Sequence, residues 1–205
     1  MKYEELASKE VVEKTMEGLK SRNIEAIFVE NGAEALQKIK ELIPAGASVM
    51  NGASVTLEQI GLVDYLKAGT HGWNNLHAGI VAETDGKKQA ELRRQVLISE
   101  YYLGSVHGIA ETGEFIVASN TGSQLPHIVF SSQNVILVVS TKKITPSLPE
   151  AYQRLMEHVI PLEEVHMQKL YGVGTNPSKI LTFTKESEFN GRKVMVIFVN
   201  EILGF

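Results

Sequence analysis

The sequence predicts one α/β domain, a mostly parallel sheet covered by helices on both faces, with a β-hairpin excursion along the way. Three observations carry that expectation. The first third alternates helical and strand patterns, the signature of a parallel sheet joined by helical crossovers. Val135 to Val139 is a fully apolar run and reads as a central strand. The 205 residues contain no repeat, no low-complexity tract and no linker, so the whole chain, 1–205, fits one domain.

Element by element, Tyr3 to Arg22 has the period of an amphipathic helix, with Val12, Met16 and Leu19 on one face. Ile24 to Val29 follows as a short strand. Asn31 then offers an N-cap with Glu34 three residues on, which opens a helix with Leu36, Ile39 and Ile43 inward. Pro44-Ala45-Gly46 ends it. Ala47 to Met50 is a second strand, running at once into Asn51-Gly52-Ala53-Ser54 and a helix through Ile60.

The middle differs in character. Lys67 to Asn75 is loop-like and holds the only tryptophan, Trp73, while Lys87 to Ile98 is helical. Tyr101–Val106 and Phe115–Ala118 read as strands separated by Gly108–Glu114, a hairpin if the two pair. After the apolar strand, Ser147 or Pro149 opens a helix to about Val159, and Leu162 to Tyr171 forms another. Ile180–Thr184 and Lys193–Val199 close the chain as two strands joined by a turn at Asn190-Gly191.

Composition narrows the function. The net charge of −4, from 24 acidic and 20 basic side chains, gives no basic face for nucleic acid. The apolar runs fall far short of the ~20 residues of a membrane helix. The acidic start, Met1-Lys2-Tyr3-Glu4-Glu5, lacks the apolar core of a signal peptide, so a cytoplasmic location is expected. With no cysteine, the chain has no disulfide, no thiol nucleophile and no thiolate-held zinc or iron–sulfur cluster. No cofactor is therefore expected in this chain. His71 and His77 lack carboxylates at ligand spacing, and no metal site is expected there.

Familiar catalytic signatures are missing. Gly172-Val173-Gly174 is followed by Thr-Asn-Pro and leaves a helix, which disqualifies it as a dinucleotide fingerprint. Two other segments stand out. In Met50–Leu62, a strand runs through Asn51-Gly52 into a helix capped by Ser54 or Thr56. That order aims backbone N–H groups at one spot and suits a phosphate or carboxylate. The bland alternative is an ordinary capped connection. In Gly104–Phe115, Gly108 and Gly113 bracket Glu111-Thr112, a tight turn carrying a carboxylate and a hydroxyl; the chain continues to Asn120-Thr121-Gly122. Here the alternative is a hairpin turn with a solvated glutamate.

At these residues the chain resembles the LUD domain family, lactate utilization protein C-like members included. Asn51–Leu62 is similar to its first block, and Gly108-Ile109-Ala110-Glu111-Thr112-Gly113-Glu114 to its most specific one. Thr141–Pro146, Glu150–Leu155, Pro161–Glu163 and the ending Gly191-Arg192-Lys193 through Asn200–Phe205 follow in family order. The resemblance implies a fold like that of ribose-phosphate isomerases and CoA transferases (the NagB/RpiA type). It also implies a part in oxidising L-lactate to pyruvate beside iron–sulfur partner proteins. Many relatives read Gly-Asn-Arg where this chain has Gly122-Ser123-Gln124, which removes a guanidinium able to grip a carboxylate. Many also carry cysteines where this chain has Gly174–Ser178, so electron transfer through this chain is in doubt.

The expected ligand is a small anionic metabolite bound beyond the carboxyl ends of the strands. Asn51, Gly52, Ser54 and Thr56 form its cradle, Lys142 or Lys143 supplies a countercharge, and Glu111 is the candidate general base. His107 joins Glu111 and Lys142 among the catalytic candidates; Thr112, Gly113, Asn120, Thr121 and Gly122 join the binding set. One strain runs through this set: across a hairpin strand, Glu111 and Asn120 lie on the order of 15 Å apart. Two rival readings remain, a sugar-phosphate or CoA-ester enzyme of the same fold, and a non-catalytic assembly subunit with an apolar patch near Trp73. An oligomer is compatible with either.

Overall fold

The protein is described by a computed structural model over residues 2–205. Its first half runs α1 (Lys9–Ser21), β1 (Glu25–Val29), α2 (Gly32–Leu42), β2 (Ser48–Asn51), α3 (Val55–Gln59), α4 (Leu62–Ala68), β3 (Asn74–Asn75), α5 (Leu76–Ala82), α6 (Gly86–Gln95) and β4 (Ser99–Gly104). Its second half runs β5 (Gly108–Ala110), β6 (Phe115–Ser119), β7 (Ser132–Ser140), β8 (Ile144–Thr145), α7 (Leu148–Arg154), α8 (Ile160–Tyr171), β9 (Lys179–Phe183) and β10 (Lys193–Val199).

Six strands form the main sheet in the order β1-β10-β7-β4-β2-β3, and every pairing in it is parallel. β7 shows why. Its Val135, Leu137 and Val139 pack into one core and Ile136 and Val138 into the other, so both faces are dry. At ~2 kcal/mol for each buried aliphatic side chain, this strand alone contributes on the order of 10 kcal/mol of burial before entropy is subtracted. On one face lie α2, α3 and α4, through Ala35, Ile39, Leu57, Leu62 and Leu66. On the other lie α1 and α5, through Val12, Leu19 and Ile80, together with a second sheet. That four-stranded sheet has the order β8-β5-β6-β9. Its far side is covered by α7 and the turn that follows, through Ala151, Leu155 and Val159 on Ile116.

The α/β class and the central apolar strand stand as expected, but several pairings differ. Tyr101–Val106 does not form the hairpin: β4 belongs to the main sheet between β2 and β7, and β6 turns back on β5 instead. A strand with Tyr102 and Leu103 both buried, one in each core, belongs where both faces are covered. The last two strands lie in different sheets: β9 pairs with β6, and β10 with β1 and β7. The first helix is shorter than its pattern, starting at Lys9 behind the Ser8 cap. Ahead of it Tyr3 takes a left-handed φ of 78°, which a helix excludes. α7 and α8 are joined by a wide π-helical turn, Leu155–Val159, directly ahead of Pro161. A proline removes one helical bond, and the widened turn takes up the mismatch. Trp73 is buried, donates its indole N–H to Ile43 O at 3.1 Å and stacks on His71, so it presents no apolar patch.

The Glu111 turn is fixed by α1. Lys14 Nζ lies 2.7 Å from Glu111 Oε2, Arg22 donates to Thr112 O at 2.6 Å and pairs with Glu114. The contact is close because two glycines meet: a Cβ on Gly18 would fall 2.7 Å from Glu111 O, and one on Gly113 (φ +96°) would fall 2.6 Å from Gly18 C. Alanine outranks glycine by ~1 kcal/mol within a helix, yet this clash is with backbone and has nowhere to relax. Gly18→Ala should therefore lower unfolding free energy by about 1–3 kcal/mol, read as a lower denaturant midpoint with unchanged slope.

Candidate functional site

A cleft of about 540 Å³ opens at the carboxyl ends of the central strands. Asn51 to Thr56 enter it after β2, Ser105 to His107 after β4, and Lys143 after β7. Asn120 and Thr121 border it after β6, and α8 with the preceding π turn forms a wall. Loops leaving parallel strands at one end converge, which is why residues so distant in sequence meet here.

Lys143 sits at the centre. It is 4% exposed, and its Nζ lies 3.0 Å from Thr56 Oγ1, 3.2 Å from Ser105 Oγ and 3.2 Å from Val106 O. Among the described residues no carboxylate pairs with it. Burial first, then the charges of Arg154 and Lys142, push its pKa well below the ordinary lysine value. His107 beside it is partly buried, with Nδ1 accepting the Ala118 N–H at 3.1 Å, which leaves the proton on Nε2. Burial, then Lys143 and Arg154, bring the His107 pKa down to about 3. Arg154 is fully buried and donates Nη1 to His107 O; its Nε and Nη2 find no partner among the described residues.

Among the described residues, the single carboxylate bonded to this basic group comes from the N-terminal segment. Glu4 bonds Lys142 Nζ at 3.0 Å and lies 2.8 Å from His158 Nε2. Lys142 also donates to Gly204 O at 2.8 Å. Lys142 thus turns away from the cleft, and the residue that reaches it is Lys143. Adjacent side chains after a strand point opposite ways, and sequence alone does not say which faces in.

The remaining candidates divide. Asn51, Gly52, Ser54, Thr56, His107, Asn120 and Thr121 line the cleft, whereas Glu111, Thr112, Gly113 and Gly122 do not. β6 separates the Glu111 turn from Asn120, and Glu111 is committed to Lys14. Gly122 instead lies beside Lys179, where a Cβ would fall 2.7 Å from Lys179 Cδ. The cradle is also narrower than expected, because the Gly52 N–H is taken by Leu103 O at 3.1 Å. Ser54 caps α3 by accepting the Leu57 N–H at 3.4 Å.

Two cleft groups, Tyr102 and His127, carry no signal in any motif, and Gln124 enters the sequence reading only as the residue in place of a relative's arginine. Tyr102 stacks on His127 with ring centroids 5.0 Å apart, and Gln124 Nε2 donates to Ala118 O at 3.0 Å. His127 Nδ1 contacts Ser132 Oγ at 2.9 Å, while its buried Nε2 has no partner among the described residues. Burial lowers its pKa to about 4. Arg192, paired with Glu186 at 3.1 Å, bonds His127 O and Ile128 O and so holds this π-helical turn in place.

The neutral histidine has a measurable consequence. Between pH 6.5 and about 3 the unfolded chain protonates this ring and the folded chain does not, so stability falls as pH drops through that window. The loss is on the order of a few kcal/mol at the acid end. His107→Asn keeps an acceptor for the Ala118 N–H and cannot titrate. Urea unfolding across this range should show a distinctly shallower acid limb for the variant; parallel limbs would refute the assignment. Glu111→Gln, by contrast, should cost less than about 1 kcal/mol, since Lys14 is largely exposed.

Comparison with known proteins agrees with this architecture. A solved structure, that of a DUF162 family protein from Deinococcus radiodurans, superposes with a TM-score of 0.59 at 13% identity, covering 96% of this chain and 100% of that one. At that identity the likeness concerns the fold alone. No curated protein matches the chain significantly. The profile of the LUD domain matches residues 12–199, from within α1 to the end of β10. The chain therefore belongs to the LUD domain family.

Proposed function

We propose that the cleft binds a small anionic metabolite of the hydroxy-acid or oxo-acid kind, in a process of L-lactate utilization. In this reading iron–sulfur partner proteins receive the electrons, since a chain without cysteine offers no thiolates to hold a cluster. The observation that carries it is charge. Lys142, Lys143 and Arg154 are all buried and within one another's field, and Glu4 is the one described carboxylate bonded to them. Such a cluster costs several kcal/mol unless anions compensate it. A ligand carboxylate at Lys143 would do so.

Unpaired polar atoms support the same reading. Asn51 Oδ1 and His127 Nε2 are buried on the cleft wall with no partner among the described residues. Buried polar atoms normally have a hydrogen-bond partner, so these two suit a polar ligand. The Ser54 hydroxyl, which only accepts within the protein, adds a further donor.

Size favours a second reading. A cleft of about 540 Å³ is in the range of sites for drug-sized ligands and exceeds what a three-carbon acid needs. A sugar phosphate or CoA ester would fill it better, with its anionic group at Lys143.

Melting curves with L-lactate, pyruvate, ribose 5-phosphate and a CoA ester separate these readings. A ligand at 100 times its Kd should stabilise the fold by ~2.7 kcal/mol. The shift should shrink at high salt and vanish in Lys143→Met. A rise with lactate or pyruvate supports the first reading, one confined to the larger anions the second. Flat curves across the panel would refute both.

A further inference from the structure

The hydroxyls around Lys143 make a statement about its proton count. Ser105 donates its own proton to Val138 O at 2.7 Å, so toward Lys143 its oxygen accepts. Val106 O also accepts. Two Lys143 N–H bonds satisfy those two acceptors. Thr56 is 1% exposed, and the contacts of its hydroxyl among the described residues are Lys143 Nζ at 3.0 Å and Ser105 Oγ at 3.4 Å. All three partners are neutral oxygens: they can take the N–H bonds of Lys143, but none offsets a positive charge. No carboxylate among the described residues pairs with this amine, 4% exposed on the cleft wall, so burial penalises its charged form. The neighbouring cations Arg154 and Lys142 act in the same direction.

A neutral primary amine on the wall of a cleft is a nucleophile. We propose that Lys143 condenses with the aldehyde or ketone carbon of a small anionic carbonyl compound, forming an imine through Nζ. This rests on the anion-site reading above and adds a covalent step to it. The balance is simple. The Nζ lone pair forms the new N–C bond, the carbonyl oxygen leaves as water with the two amine protons, and C=N replaces C=O. No oxidant or reductant is consumed.

The Thr56 hydroxyl, 3.0 Å from Nζ, is placed to pass a proton between nitrogen and the departing oxygen. His107 and Asn51 line the same cleft, and Arg154, bonded to His107 O, supplies a positive field for the substrate's anionic group. The arrangement follows the general rule for imine-forming lysines: desolvation and a nearby cation free the lone pair at neutral pH.

Borohydride trapping tests this on the full chain at neutral pH. The probes are glyoxylate and pyruvate, with acetaldehyde as an uncharged carbonyl, followed by peptide mapping; melting curves are recorded with the same probes. An amine held below the ordinary lysine pKa is less often protonated at neutral pH, so labelling at Lys143 should exceed that at exposed lysines such as Lys9 and Lys67 by roughly tenfold or more. It should favour the anionic probes, fall with excess acetate, and be absent in Lys143→Arg. Should that variant fail to fold, the map of the natural chain still identifies the lysine modified. Stabilisation by the probes without an adduct at Lys143 overturns the imine and leaves the anion site standing. Neither adduct nor stabilisation overturns both, and labels confined to surface lysines overturn the imine as well.

Discussion

Everything at the site depends on one constraint, that the central strands are dry on both faces. β7 contributes apolar side chains to both cores, and β4 and β10 do the same through Tyr102 and Leu103, and through Val196 and Ile197. The stretch of such a strand that is buried on both faces can hold no charge, and Glu100 and Lys193 stand only at the exposed starts of β4 and β10. Polar and ionisable groups are driven to where the strands stop, and in a parallel sheet all the carboxyl ends stop on one side. The residues after β2, β4 and β7 are therefore brought together by the same hydrophobic pattern that builds the sheet.

The charge balance at that edge is unusual. Buried cations are normally paired, yet here Lys142, Lys143 and Arg154 are served by Glu4 alone among the described residues. Glu4 reaches them only because the chain ahead of α1 leaves helical geometry at Tyr3, whose ring lies over Lys2 Nζ at 4.9 Å and beside His158. Lys142 is neutralised by this contact while Lys143, one residue on, is not. Two neighbouring lysines with the same composition around them in sequence thus have opposite electrostatic roles, one a closed structural pair and the other facing the cleft.

That contrast explains how much of the protein was legible in its sequence. The parallel core was, because a run such as Val135–Val139 admits few environments. So was the cap of α2, where Asn31 accepts the Glu34 N–H at 3.0 Å and Glu34 reaches back to the Glu30 N–H at 3.0 Å. Hairpin pairing was not, since choosing Gly108–Ala110 over Tyr101–Val106 as the partner of β6 depends on which strand the main sheet needs. The choice of Lys143 over Lys142 turns on one rotation of the backbone. His127 was silent altogether. Its place on the cleft wall comes from a π-helical turn held by Arg192 across a gap of 65 positions, and no local spacing encodes that.

The segment Gly108–Glu114 gives the most instructive contrast. A family-specific block carrying a carboxylate between glycines invites a catalytic reading, but here each feature has a packing cause. Gly113 supplies a positive φ and room for Gly18; Glu114 pairs with Arg22, Glu111 with Lys14, and the Glu111 N–H bonds Thr145 O at 2.8 Å. The turn clamps α1 and β8 onto the small sheet. β8 directly follows the turn that bears Lys143, and the next segment, α7, ends at Arg154. The block thus bears on the cleft through position alone: it secures the strand from which the buried lysine is hung. A sequence block specific to a family can be specific because it sets the geometry behind a site, without contributing a single atom to the site itself.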